Sequence, residues 1–171
     1  MKKIWGATLA LAIVLGACSN DQTEEQSANE QPTEETETVD VKKAMMNFYM
    51  EMTNTINEND TALNTYREAM EKESSEEMAQ LKEEALTSAE KVVEALQSVT
   101  IPTELNAYEE TLKESLETVV GSYEMIKEEL TKEAPSFEAA DAKFMEADEK
   151  IASVLEEVGL HKSSLYNDVN M

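Results

Sequence analysis

Few of the 171 side chains could do chemistry in a defined arrangement. There is one histidine, His161, and one cysteine, Cys18. A di-iron centre in a helical protein needs Glu residues and Glu-x-x-His motifs on paired helices. Val158 stands three residues before His161, so that motif is missing. A serine or cysteine hydrolase needs a nucleophile, a base and an orienting group, and the sequence has no Gly-x-Ser-x-Gly elbow. Phosphate-cradling loops are built from glycines, and beyond residue 17 only Gly121 and Gly159 remain, far apart. The 37 Asp and Glu residues are plentiful, but their spacing singles out no pair. Asn57-Glu58-Asn59-Asp60 is acidic yet lacks the glycine and closing glutamate of an EF-hand loop. The expectation is no catalytic residue, no cofactor and no metal site, with His161 a solvated group near the C-terminus.

Four methionines stand in the run Met45-Met46-Asn47-Phe48-Tyr49-Met50-Glu51-Met52. Thioethers can bind Cu(I), but convergence decides the matter. On a helix Met45 and Met52 share a stripe with Tyr49 and Ile56, whereas Met46 and Met50 point well away from it. Two core methionines and two exposed ones are expected. The exposed pair is adaptable apolar surface that a partner could use.

The N-terminus carries the sharpest signal. Met1-Lys2-Lys3 is followed by an apolar run from Ile4 to Leu15. The run is too short for a span of ~20 residues and fits the apolar region of a secretory signal peptide. It ends in Leu15-Gly16-Ala17-Cys18. This stretch resembles the lipobox of bacterial lipoproteins: a branched apolar residue, two small residues, then cysteine. The resemblance covers about eighteen residues. It implies cleavage between Ala17 and Cys18 and a diacylglycerol on the Cys18 thiol. It also implies an extracytoplasmic chain anchored to the cell membrane through the lipid on Cys18. Two acyl chains hold a protein firmly to a bilayer, whereas one is marginal. More loosely, the whole chain is similar to small uncharacterised helical lipoproteins of Gram-positive bacteria.

Composition narrows the remainder. One cysteine excludes an internal disulfide. With 14 Lys+Arg against 37 Asp+Glu the formal charge is −23, which excludes phosphate-driven nucleic-acid binding. Removing residues 1–17 takes away two lysines and no acid, so the charge moves to −25. Few glycines and 5% aromatics argue against β-sandwiches and α/β nucleotide folds. Residues 19–40 hold eight acids, no base, and only Ala28 and Val39 as apolar members. With Cys18 they form the expected disordered acidic linker, 18–40, whose reach is roughly 25–30 Å.

Residues 41–160 read as four helices. Tyr49, Ile56, Leu63 and Met70 repeat every seven residues, with Met45, Met52, Asn59 and Tyr66 as the companion set. This predicts one helix over about 40–72, with polar Asn59 in its seam. Ser74 to Glu77 reads as a capping box for a second helix ending near Ser98. Its stripe is Met78, Leu81, Ala85, Ala89, Val92, Leu96 and Val99. Pro102 opens a third helix to about Lys132, and Pro135 separates it from a fourth, which ends at Gly159. Each helix is apolar on one face, so none is stable alone. The predicted fold is all-α, an antiparallel up-down-up-down four-helix bundle. Residues 161–171 read as a polar tail or a frayed final turn. A duplicated helical hairpin, 41–99 and 102–160, stays open, as does a fusion of the first two helices.

The functional expectation is a non-catalytic, membrane-anchored interaction module with an envelope protein as partner. The alternative is low-affinity binding of cations or cationic peptides at the cell surface, which so negative a field favours.

Overall fold

A computed structural model describes residues 34–72 and 78–170 of the chain. The expected signal peptide with Ala17 and Cys18, most of the expected acidic linker and the expected capping box at Ser74–Glu77 lie outside the described residues. Those that are described are helical, with no strand among them. In order they form α1 (Glu34–Asn57), α2 (Thr61–Glu71), α3 (Met78–Leu96), α4 (Glu109–Leu130), α5 (Glu138–Glu157) and α6 (Leu165–Val169). A 3-10 turn, Thr103–Tyr108, leads into α4.

The helix α1 begins at Glu34, inside the expected 18–40 linker. It then ends at Asn57 instead of running on to residue 72. Two asparagines and an aspartate among residues 57–60 disfavour a helix interior, because their short polar side chains compete for backbone groups. The break is tight: Asp60 N still donates to Ile56 O, and Asn64 N to Asp60 O. Asn59 donates its amide back to Thr55 O at 2.8 Å. The carbonyl of Asn59 is taken up across the interface by the buried hydroxyl of Ser88 on α3, at 2.5 Å.

Sequence numbers run in opposite directions along the main contacts. Lys150 on α5 pairs with Glu114 on α4, and Lys143 lies beside Gly121, so α4 and α5 are antiparallel. Lys82 near the start of α3 donates to the carbonyl of Lys132 just past α4, which makes α3 and α4 antiparallel as well. The helix α2 packs on α3, and α1 meets α3, α6 and the 3-10 turn. One core takes side chains from every helix: Met45, Phe48, Met52, Ile56, Leu63, Tyr66, Val92, Leu96, Leu112, Val119, Ile126, Phe144, Ile151 and Leu165 are all buried.

Most of the periodic stripes therefore do face inward. Phe48 takes the fully buried place expected of Tyr49, which is only half-buried. Pro102 does precede helical structure, but the 3-10 turn comes first, with Leu105 fully buried within it. Gly159 has φ +75°. Gly159 N donates to Glu156 O and Leu160 N to Leu155 O, the two-bond pattern that closes a helix through a left-handed residue.

Residues 161–171 differ most from expectation. Instead of a polar tail, Leu165–Val169 forms a helix with both terminal apolar side chains buried. Ser164 caps it by accepting from Asn167 N at 3.2 Å. No helix among the described residues is long and apolar enough to cross a membrane.

Candidate functional site

The densest set of non-local polar contacts lies where α6 meets α1, α2 and α5. Tyr49 Oη on α1 donates to Asp168 Oδ2 on α6 at 2.6 Å. Asn57 Nδ2 and Asn64 Nδ2, on either side of the α1–α2 break, donate to the carbonyls of Asp168 and Val169 at 3.3 and 3.1 Å. From α5, Asp148 accepts from the Ser164 hydroxyl at 2.8 Å and from the backbone N–H groups of Leu165 and Tyr166 at 2.6 and 3.3 Å. Free N–H groups at a helix start are what a carboxylate satisfies best.

Asp60 lies in the break itself, 2% exposed. It stands at the N-cap position of α2, but its side chain makes no capping bond. Instead Asp60 Oδ2 accepts from the buried Tyr123 hydroxyl at 3.4 Å. Burial pushes the Asp60 carboxyl up to about 6, and hydrogen bonds from Asn64 and Tyr123 and the nearby Arg67 charge only partly counter it. Tyr123 is raised well above the ordinary phenol value, first by burial and then by the Asp60 charge. Tyr49 is raised as well, by burial and by its bond to Asp168.

Two turns further along, on α2, Arg67 grips Asp141 of α5 through both terminal nitrogens, at 2.9 and 3.1 Å. Its guanidinium carbon sits 4.6 Å from the centre of the Phe137 ring. A planar fork serves both contacts at once, which an ammonium cannot do. Tyr166 of α6 packs edge-on against Phe144, with ring centres 5.5 Å apart. An open recess of about 720 Å³ follows, bordered by Arg67, Glu71, Phe137, Glu138, Asp141 and Tyr166. A second groove of about 520 Å³, more apolar, runs between Leu96, Val99, Ile101, Leu116 and Val120.

The sequence-predicted sites fall elsewhere. Met45 and Met52 are fully buried, and Met46 and Met50 are 48% and 53% exposed, as the helical geometry requires. His161 is exposed in the connection between α5 and α6. Among the described residues no three His, Cys, Asp or Glu side chains are grouped to hold a metal ion. Asn57 to Asp60, set aside as a calcium loop, is where the helix breaks. Sequence reasoning missed Asp60, Arg67, Asp141, Asp148 and Asp168. One signal was there to read: Arg67 is the only arginine in a chain whose other basic residues are all lysines. No protein-family model, curated protein or solved structure matches this chain.

Proposed function

We propose that the chain is a bacterial lipoprotein, held outside the cell membrane by a lipid on Cys18, whose helical part acts by contact with an envelope protein and not by catalysis. In this reading α1 and α2 together count as the first helix of an up-down-up-down four-helix bundle, with α3, α4 and α5 as the others. The observation that carries the contact reading is the single continuous core drawn from all the helices. Its recesses are open grooves on the surface, suited to another surface more than to an engulfed ligand. The anchor rests on Leu15-Gly16-Ala17-Cys18.

Two measurements test this. Cells fed an alkyne fatty acid should label the wild-type protein and retain it in the membrane fraction, while Cys18→Ser abolishes both; equal labelling of the variant refutes the anchor. Crosslinking in intact cells should recover a specific envelope protein, and recovery of none counts against the contact role.

A second reading, binding of small cations or cationic peptides, draws on the recess where Glu68, Glu71, Glu138 and Asp141 outnumber Arg67. Titration with Ca²⁺ or a basic peptide at ~0.15 M salt separates a site from a screened field.

A further inference from the structure

The four methionines of α1 divide into two environments. Met45 and Met52 are fully buried with Phe48 and Ile56 in the core, while Met46 is 48% exposed and Met50 53%. Among the described residues the large apolar side chains left exposed are Val39, Met46, Met50 and Met145, and the first three of these lie on α1. Spacings of seven and four residues set Val39, Met46 and Met50 along one outer face, with the two thioethers one turn apart. Met145 stands on α5, and Met70, Met78 and Met125 are half-buried against the core.

We propose that Met46 and Met50 form a paired, reversible oxidation site for peroxides, whose modification leaves the fold intact. With hydrogen peroxide, each thioether sulfur attacks one peroxide oxygen. An S–O bond forms and the O–O bond breaks. The proton of the attacked oxygen passes to the departing oxygen, which leaves as water. Sulfur loses two electrons and the peroxide gains them. Packing decides which sulfurs react. A solvated sulfur is reached directly, whereas close packing bars peroxide from Met45 and Met52 until the chain opens. The product reinforces the division. A sulfoxide is polar, so on the outer face water satisfies its oxygen, and in the core that oxygen would be an unpaired polar group. The inward seam of α1, Met45, Phe48, Met52 and Ile56, does not include Met46 or Met50, so helix and core persist after their oxidation. What changes is the outer face, where two of its three exposed apolar side chains become polar. The return is reductive, with one reductase for each sulfoxide epimer.

Peptide mapping by mass spectrometry tests this on the full chain in detergent micelles treated with hydrogen peroxide. Met46 and Met50 should each gain one oxygen about tenfold faster than Met45 and Met52, with Met145 reacting as a separate exposed site. Protein carrying both sulfoxides should keep the helical circular dichroism and the urea midpoint of the untreated chain. Methionine sulfoxide reductases A and B with a thiol reductant should restore both thioethers. Met46→Leu/Met50→Leu should lower the rapid uptake by about two oxygens per chain. Oxidation of Met45 or Met52 at the rate of Met46, a lowered urea midpoint in the doubly oxidised protein, sulfoxides that the reductases leave in place, or unchanged uptake in the double variant would overturn the site.

Discussion

Between α4 and α5, Leu112, Val119, Ile126, Phe144, Ala147 and Ile151 meet as buried apolar side chains, and the ion pair between them, Glu114–Lys150, sits on the surface. Where α6 meets α1 and α2 the balance is reversed. Two apolar side chains, Leu165 and Val169, are fastened by a phenol–carboxylate bond, two amide–carbonyl bonds and a carboxylate cap, beside a crevice that the buried Asp60 also borders. The first region depends on burial, which is non-directional and proportional to area. The second depends on directed bonds whose strength follows protonation and geometry. Both belong to the same fold, yet they answer to different perturbations.

Truncation in the hairpin should have the largest effect. Ile151→Ala, at a fully buried position, should cost about 2–5 kcal/mol in urea unfolding and show no dependence on pH. A cost that changed with pH would blur the contrast between the regions.

Acidity should act through the other region. The folded chain holds the Asp60 proton more tightly than the unfolded chain, with the carboxyl raised from 3.8 to about 6. Folding is therefore favoured while that proton is bound. The Asp60 contribution should fall as pH rises from about 4 to about 6 and then level off, a change of up to ~3 kcal/mol. At pH 7 Asp60→Asn should be more stable than wild type by about 1–2 kcal/mol, and its stability between pH 4 and 6 should be flatter. A destabilised Asp60→Asn would mean that Asn64 and Tyr123 satisfy the charge fully.

Arg67→Ala should cost roughly 1–3 kcal/mol, because Asp141 loses its two-pronged partner and Phe137 its stacked cation. Arg67→Lys should recover only part of that loss, since lysine offers no fork. The smallest effect should come from the hairpin's ion pair. A double-mutant cycle on Glu114 and Lys150 should give less than about 1 kcal/mol.

The same division marks what could be read in advance. The stripes of α3, α4 and α5 were legible because apolar side chains recur at helical spacing, and burial follows that spacing. Gly159 was legible because few other residues accept its backbone angle. The break at 58–60 was not, although Asn57, Asn59 and Asp60 are weak helix formers. The heptad runs on through it, from Ile56 to Leu63, and hides it. Asp60 counted as one acid among 37, since what sets it apart is a phenol 63 residues away. The helix α6 carried a cap, Ser164, and an apolar pair at i and i+4, Leu165 and Val169. A single turn is too short for periodicity to register, and its partners on α1 and α2 lie over a hundred residues upstream.

That last separation bears on how the molecule comes to be folded. Tyr49 and Asp168 are 119 residues apart in sequence, while the α4–α5 hairpin joins neighbours. Contacts between neighbours close quickly, and distant ones wait for the chain between them to be ordered. A polypeptide is also made from its N-terminus. Until α6 has been made, α1 and α2 lack the partner they fasten to along this seam. The helix α6 thus acts as a stitch between distant parts of the chain: the seam closes only after the helices between have been made.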